Sequence, residues 1–244
     1  MESLLTRVKR EIQILSLLGL NKGKILDVGF GSGRYLKNLN GDLVCALEKN
    51  RRRIVELKNF KNVMFILGDA EDLPFKKNIF DKVLFTEVLE HTQKPYKALS
   101  DLKTVVRNGG TLIMSCPSAN YPFLWDSENY IREFLGKRPR KKKSMMTNWT
   151  PGHKHLFSYS ELEAELLPEF QIKSTIYSGH ILTPILNIVW FLIYGLVKIV
   201  RYLNFSYGEK IIQKVFDSIL KVSMWEDEIF NCEPCITLMI KAIK

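Results

Sequence analysis

Apolar positions along the chain recur with two different periods. In the first eighteen residues Leu4, Leu5, Val8, Ile12 and Leu15 fall on one helical face among Glu2, Arg7, Lys9, Arg10 and Glu11, which predicts an amphipathic helix ending near Gly19. Short continuous apolar runs then begin at Ile25-Leu26 and recur at residues 43–47, 63–67, 81–85 and 111–116, and these predict buried strands. Helices are expected between them at residues 50–58, in the stretch leading to His91, and at 95–106, with Asn108-Gly109-Gly110 as the stop signal. Strands alternating with helices in this way predict a parallel sheet covered on both faces. Beyond Pro117 the rhythm breaks. Ser158 with Glu161 reads as a capping box opening a short helix to about Leu167, and two further strands are expected at 170–177 and 235–243.

Composition narrows the partners. The 244 residues are enough for one substantial core, and the formal charge of +10 points to an anionic partner: nucleic acid, a membrane surface or an acidic substrate. Four cysteines are too few for a disulfide framework. Cys45 and Cys116 fall inside apolar strands, while Cys232 and Cys235 form a lone C-x-x-C with no second pair to complete a zinc site. With its charges the first stretch reads as an amphipathic helix and not as a signal peptide, and no internal repeat is seen.

Candidate chemistry gathers at the strand ends. Residues 25–36 read ILDVGFGSGRYL, with glycine at every second position: Gly29, Gly31 and Gly33. Such a turn lets a strand pass sharply into a helix while a ligand lies against bare backbone. It is not the dinucleotide fingerprint, because Arg34 stands where that motif needs glycine. Asp27 lies within the turn, Glu48 closes the second strand at a distance where a carboxylate can grip both ribose hydroxyls, Asp69 closes the third, and Thr86-Glu87 follow the fourth. Ligands of doubly wound sheets bind beyond these carboxyl ends.

Taken together, the D-x-G-x-G-x-G turn, the acid ending the second strand, GDAEDLPF at 68–75 and FDKVLFTEVLEH at 80–91 resemble the class I S-adenosylmethionine-dependent methyltransferases. Within that class the motifs are most similar to the quinone-type O-methyltransferase and methyltransferase type 11 group. The resemblance is continuous over residues 20–118 and resumes at HLFSYSELEAEL (155–166) and the last strand. It implies an α/β fold with a doubly wound, mostly parallel, seven-stranded sheet. One domain would then occupy 1–244, with insertions at 119–150 and 178–232. By the same resemblance Asp27, Gly29, Gly31 and Gly33 hold the methionine portion of S-adenosylmethionine, Glu48 the ribose, Asp69 with Ala70 the adenine, and the Thr86-Glu87 backbone the amino end.

The sulfonium methyl of such a cofactor passes in line to a nucleophile, so the protein positions the acceptor and removes its proton. Candidates for the second task are Glu87, Glu90, His91, His153 and His155. His155 is favoured as general base, with Glu90 and His91 beside it; a purely structural hydrogen-bonding histidine is the alternative. In the resembling quinone group an E-x-x-E-H segment binds a divalent ion in some members, which here would place Mg2+ on Glu87, Glu90 and His91. The alternative for that segment is a cap that orients its helix.

Two insertions remain. Arg132, Lys137, Arg138, Arg140, Lys141, Lys142 and Lys143 cluster after the fifth strand with one acid, Glu133. Residues 174–197 contain no lysine, arginine or acid. A helix from Pro184 to Arg201 or Leu203 would be ~30 Å long, enough to span a bilayer. A single span is excluded if the strands at 170–177 and 235–243 share one sheet. Nor can the next helix return, since Glu209, Lys210, Lys214, Asp217 and Lys221 punctuate it opposite the apolar face of Ile211, Ile212, Val215, Phe216, Ile219 and Leu220. The apolar segment from Ile181 to Leu203 therefore lies in a membrane interface, forms a re-entrant pair, or packs as a lid or homodimer contact. The favoured expectation is a cytoplasmic, peripheral or monotopic enzyme that O-methylates a lipid or lipid-linked acceptor at the membrane surface. An RNA methyltransferase contacting phosphates through Arg132 to Lys143 and a soluble small-molecule methyltransferase are the alternatives.

Overall fold

The computed structural model describes residues 4–19, 22–57, 59–121, 131–132, 134–138, 154–202 and 208–244. Seven strands form one sheet: β1 (Lys24–Val28), β2 (Leu43–Glu48), β3 (Val63–Leu67), β4 (Phe80–Thr86), β5 (Val106–Pro117), β6 (Gln171–Ser178) and β7 (Thr237–Ile243), in the order β3-β2-β1-β4-β5-β7-β6. Neighbours from β3 to β5 are parallel, and β7 runs antiparallel to β5. The helices are α1 (Leu4–Leu18), α2 (Arg51–Leu57), α3 (Pro95–Val105), α4 (Tyr159–Leu166), α5 (Leu182–Tyr202) and α6 (Gly208–Ile229). This is the doubly wound arrangement that the alternating pattern predicts. The runs at β1, β2, β4 and β5 are covered on both faces and need no polar alternation, whereas β3, at the sheet edge, is not the buried strand expected and leaves Met64 and Leu67 exposed. The Ser158/Glu161 capping box is formed, with both reciprocal hydrogen bonds present.

Three further local expectations are corrected. The glycine turn does not open a regular helix; it continues as turns into a single 3-10 turn, Leu36–Asn38. The three left-handed glycines, at φ +74°, +56° and +70°, keep the backbone from settling into helical geometry. The Asn108-Gly109-Gly110 sequence does not end a helix either. α3 passes directly into β5 at Val106, which pairs with Phe80, and the glycines take up a register shift before Thr111 pairs with Lys82. Gly109, at φ +74°, is held there by donating to the Lys244 carbonyl at 2.8 Å. Finally, the buried face of α1 is not the one that periodicity selects. Leu4 and Ile12 are exposed, at 38% and 39%, while Leu5, Lys9, Ile14, Leu17 and Leu18 are buried.

The chain divides into two compact bodies: residues 11–119, 152–176 and 237–244, and residues 1–10, 120–151 and 177–236. The first contains most of the sheet. Its core packs Ile14, Leu17 and Leu18 of α1 against Ile25, Val44, Ala46, Leu84, Ile113 and Met239. Lys82 of β4 donates to the Leu18 carbonyl at 2.7 Å, a cation at the C-terminal end of α1.

The second body gathers both insertions and the first ten residues. Leu5, Trp190 and Phe216 form its core with Val8, Leu186, Ile193, Ile212, Ile219 and Leu220 around them, and the Trp190 and Phe216 rings meet edge-on at 4.6 Å. Lys9, one of the charges that mark α1 as amphipathic, is fully buried. Its ammonium donates to Thr183 Oγ1 (3.0 Å), to the Ser223 carbonyl and hydroxyl (2.7 and 2.8 Å), and to Asp227 Oδ1 (2.8 Å). Burial holds its pKa below the usual lysine value, against the opposing pull of Asp227 and Glu226. Glu226, also sealed from solvent, accepts from the amides of Leu182 and Thr183 (3.0 Å for Thr183) and so caps α5. Among the described residues, no helix is long and apolar enough to cross a membrane.

Candidate functional site

The parallel register brings the ends of β1, β2, β3 and β4 to one edge of the first body. Asp27 sits at the foot of the glycine turn, 1% exposed, and among the described residues neither carboxylate oxygen has a hydrogen-bond partner. Burial, with a smaller push from the Glu48 charge, raises its pKa from 3.8 to about 7. A buried carboxyl with open acceptor positions is costly unless a donor meets it, which marks a ligand-facing position.

The turn itself is crowded on its inner side. A Cβ on Gly29 would come within 2.5 Å of Val88 Cγ2, on Gly31 within 2.8 Å of Arg53 Nη1, and on Gly33 within 2.6 Å of Leu57 Cδ1. Glu48 fastens the turn from β2, its Oε2 accepting from the Gly31 amide at 3.1 Å and its Oε1 from the Asn50 amide at 2.9 Å. A carboxylate has about four acceptor positions, so two remain for a ligand.

Asp69 stands at the end of β3, half-exposed, with Lys49 Nζ at 2.6 Å from Oδ2 and the Glu71 amide at 3.1 Å from Oδ1. The lysine hydrogen bond chiefly holds its pKa below the usual carboxylate range. Ala70 beside it is buried. Lys49 was not singled out from sequence; its place directly after Glu48, on the strand paired with β3, is the signal that could have identified it.

At the end of β4, Thr86 is buried and Glu87 takes φ +55°, a left-handed conformation that is uncommon outside glycine. Glu87 donates its amide to the Ser115 carbonyl and accepts the Ser115 hydroxyl, both at 2.9 Å. Glu90 is completely buried, and His91, with a side chain 44% exposed, lies 3.8 Å from it. The proposed magnesium ligands are therefore not gathered. Glu87 turns toward β5, Glu90 into the core and His91 outward, and among the described residues no three His, Cys, Asp or Glu side chains could hold a metal ion.

His155 is brought to this segment through its backbone: the Lys154 and His155 amides point to the Glu90 carbonyl, at 2.7 and 3.4 Å. Its side chain lines a cleft of about 540 Å³ with Gln93, Lys94, Pro95, Tyr96, Lys97, Leu156, Phe157 and Glu161. His153 and the basic residues from Arg140 to Lys143 lie outside the described residues.

Comparison with known proteins agrees with this geometry. Residues 26–114 match the methyltransferase domain family. Protein MJ1123 of Methanocaldococcus jannaschii is 30% identical over 135 residues, covering 55% of this chain and 60% of that protein. The ubiquinone/menaquinone biosynthesis C-methyltransferase UbiE of Coxiella burnetii is 31% identical over 103 residues, covering 37% and 41%. The chain thus spans less than two thirds of either relative. An S-adenosylmethionine-dependent methyltransferase structure from Thermotoga maritima superposes with a TM-score of 0.56 at 18% identity, covering 99% of this chain and 91% of that one. The fold is the Rossmann-like methyltransferase fold.

Proposed function

We propose that this protein is an S-adenosylmethionine-dependent methyltransferase that O-methylates a lipid-borne, quinone-type acceptor at a membrane surface. The observation that carries the cofactor is Asp27, a buried carboxyl with open acceptor positions at the foot of a three-glycine turn fastened by Glu48. These residues fit the group. Asp27 and the two open positions on Glu48 accept its donors, and the glycines let it approach bare backbone. The cofactor supplies an electrophilic methyl group. Asp69, Ala70 and the strained Thr86-Glu87 backbone would hold the rest of it.

For the acceptor side, His155 offers a ring nitrogen to take the hydroxyl proton, held in place by the Glu90 carbonyl. Tyr96 and Phe157 give the cleft beside His155 aromatic walls, which suit a planar ring. No magnesium is needed in this reading. The uncharged run from 174 to 197 and the quinone-pathway name of UbiE both favour an acceptor carried by lipid.

Calorimetry with S-adenosylmethionine tests the cofactor, and binding unchanged in Asp27→Ala would overturn its assignment. Lipid extracts from cells with and without the protein test the acceptor. A species heavier by one CH2 only when the protein is present supports the reading, and fragmentation places the methyl on oxygen or carbon. Extracts that match refute a lipid acceptor.

A further inference from the structure

α5 is apolar on both of its faces. Toward the core of its own body it presents Thr183, Leu186, Trp190 and Ile193. On the outside, Ile181, Ile185, Ile188, Val189 and Leu192 are 39–61% exposed at helical spacing, with no polar side chain in the stripe. A solvated helix carries charge on its outer face; one that does not has a second apolar neighbour.

α6 adds to the same end of the pair. Because Glu226 caps α5 at Leu182 and Thr183, the last turns of α6 lie level with the first turn of α5, and there Val222, Trp225 and Ile229 are 44–54% exposed. At 100° per residue, Lys214, Lys221 and Trp225 fall within roughly 40° of arc, with Asp217 and Glu228 at its margin. Another described segment of this body repeats the composition: Ile131, Phe134 and Leu135, the second 90% exposed, precede exposed Lys137 and Arg138.

We infer that the outer faces of α5 and α6 form a docking surface for an anionic lipid bilayer, with α5 lying in the interface and Trp225 anchoring beside Lys214 and Lys221. The inference rests on the lipid-borne acceptor proposed above and names the partner that delivers it. Tryptophan and lysine beside a helix that is uncharged from Leu182 to Val197 is the composition of an interfacial helix. Exposed Lys214 and Lys221, and Lys137 and Arg138 after Leu135, complement anionic headgroups. No described helix crosses a membrane, which leaves α5 in the surface and not through it.

The test is flotation of the full chain with vesicles of neutral phosphatidylcholine and of phosphatidylcholine mixed with phosphatidylglycerol. Binding is expected to the mixed vesicles and to weaken in high salt. Partitioning should fall on the order of tenfold in Lys214→Glu/Lys221→Glu, and further in Ile188→Glu/Leu192→Glu. S-adenosylmethionine affinity, measured on the same preparations, should stay at the unsubstituted level in both, which also shows that they are folded. A folded, cofactor-binding protein that floats with neither vesicle overturns the surface, as does undiminished partitioning of Ile188→Glu/Leu192→Glu. So does a dimer in gel filtration that Ile188→Glu/Leu192→Glu dissolves, or salt-sensitive RNA binding lost in the lysine variant while flotation persists. Vesicle binding without cofactor binding would instead refute the enzymatic reading and leave the surface standing.

Discussion

Glu48 accepts the Gly31 amide at 3.1 Å, so the acid that ends β2 fixes the turn that follows β1. One carboxylate thereby both shapes the loop and keeps acceptor positions for a ligand. Replacing it by glutamine removes the charge from two amide hydrogen bonds, each in the range of about 1.5–3 kcal/mol when charge-assisted. Glu48→Gln is expected to weaken S-adenosylmethionine binding about 10- to 100-fold, as read by calorimetry.

Asp27 gives the ligand-free protein a characteristic pH dependence. Its folded pKa of about 7 lies above the value of 3.8 for a free carboxyl, so the folded state holds the extra proton between those values. Stability contributed by this group is full below about pH 4, falls as pH rises toward 7, and is flat above. The total is up to about 4 kcal/mol at 1.36 kcal/mol per unit. Asp27→Asn should flatten that portion of the curve and be the more stable protein at pH 8 in urea unfolding, while losing cofactor affinity.

Gly29→Ala tests the turn from the other side. The new Cβ would meet Val88 Cγ2 at 2.5 Å in a backbone at φ +74°. A loss of roughly 2–3 kcal/mol is expected, from left-handed strain plus overpacking, measured as a shift in urea midpoint at constant m-value.

Lys9→Met removes the cation of the buried Lys9–Asp227 pair and leaves the sealed Asp227 carboxylate, which also accepts from Ser178 and Gly179, without it. Destabilisation of about 3–5 kcal/mol is expected in thermal unfolding. The double variant Lys9→Met/Asp227→Leu should recover part of it, because the Asp227 charge leaves the core together with Lys9, while Glu226 keeps its hydrogen bonds from the Leu182 and Thr183 amides.

His155→Gln should cut turnover at least about 100-fold, with S-adenosylmethionine affinity unchanged. Equal loss in binding and turnover would instead assign His155 a positioning role.

Much of the first body was legible in the chain itself. A strand buried on both faces must be a short apolar run, and a left-handed glycine turn must be written in glycine. The order of acids Asp27, Glu48, Asp69 and Glu87 therefore marked the edge where the parallel strands end before any contact was known. The buried face of α1 was not legible, because its Lys9 is satisfied by Thr183, Ser223 and Asp227, more than 170 residues away in sequence. The same is true of Glu87, Glu90 and His91. Their E-x-x-E-H spacing is that of a ligand set, but the left-handed turn at Glu87 and the partner Ser115 on β5 send the three side chains in different directions.

The sequence by itself determined the sheet, the glycine turn and the uncharged run from 174 to 197, since periodicity, glycine and the absence of charge act locally. Tertiary structure decided which carboxylates are buried, which backbone amides they fasten, and that α5 keeps an apolar face outward. Burial and pairing depend on segments far apart in the chain, and their energies exist only once those segments meet.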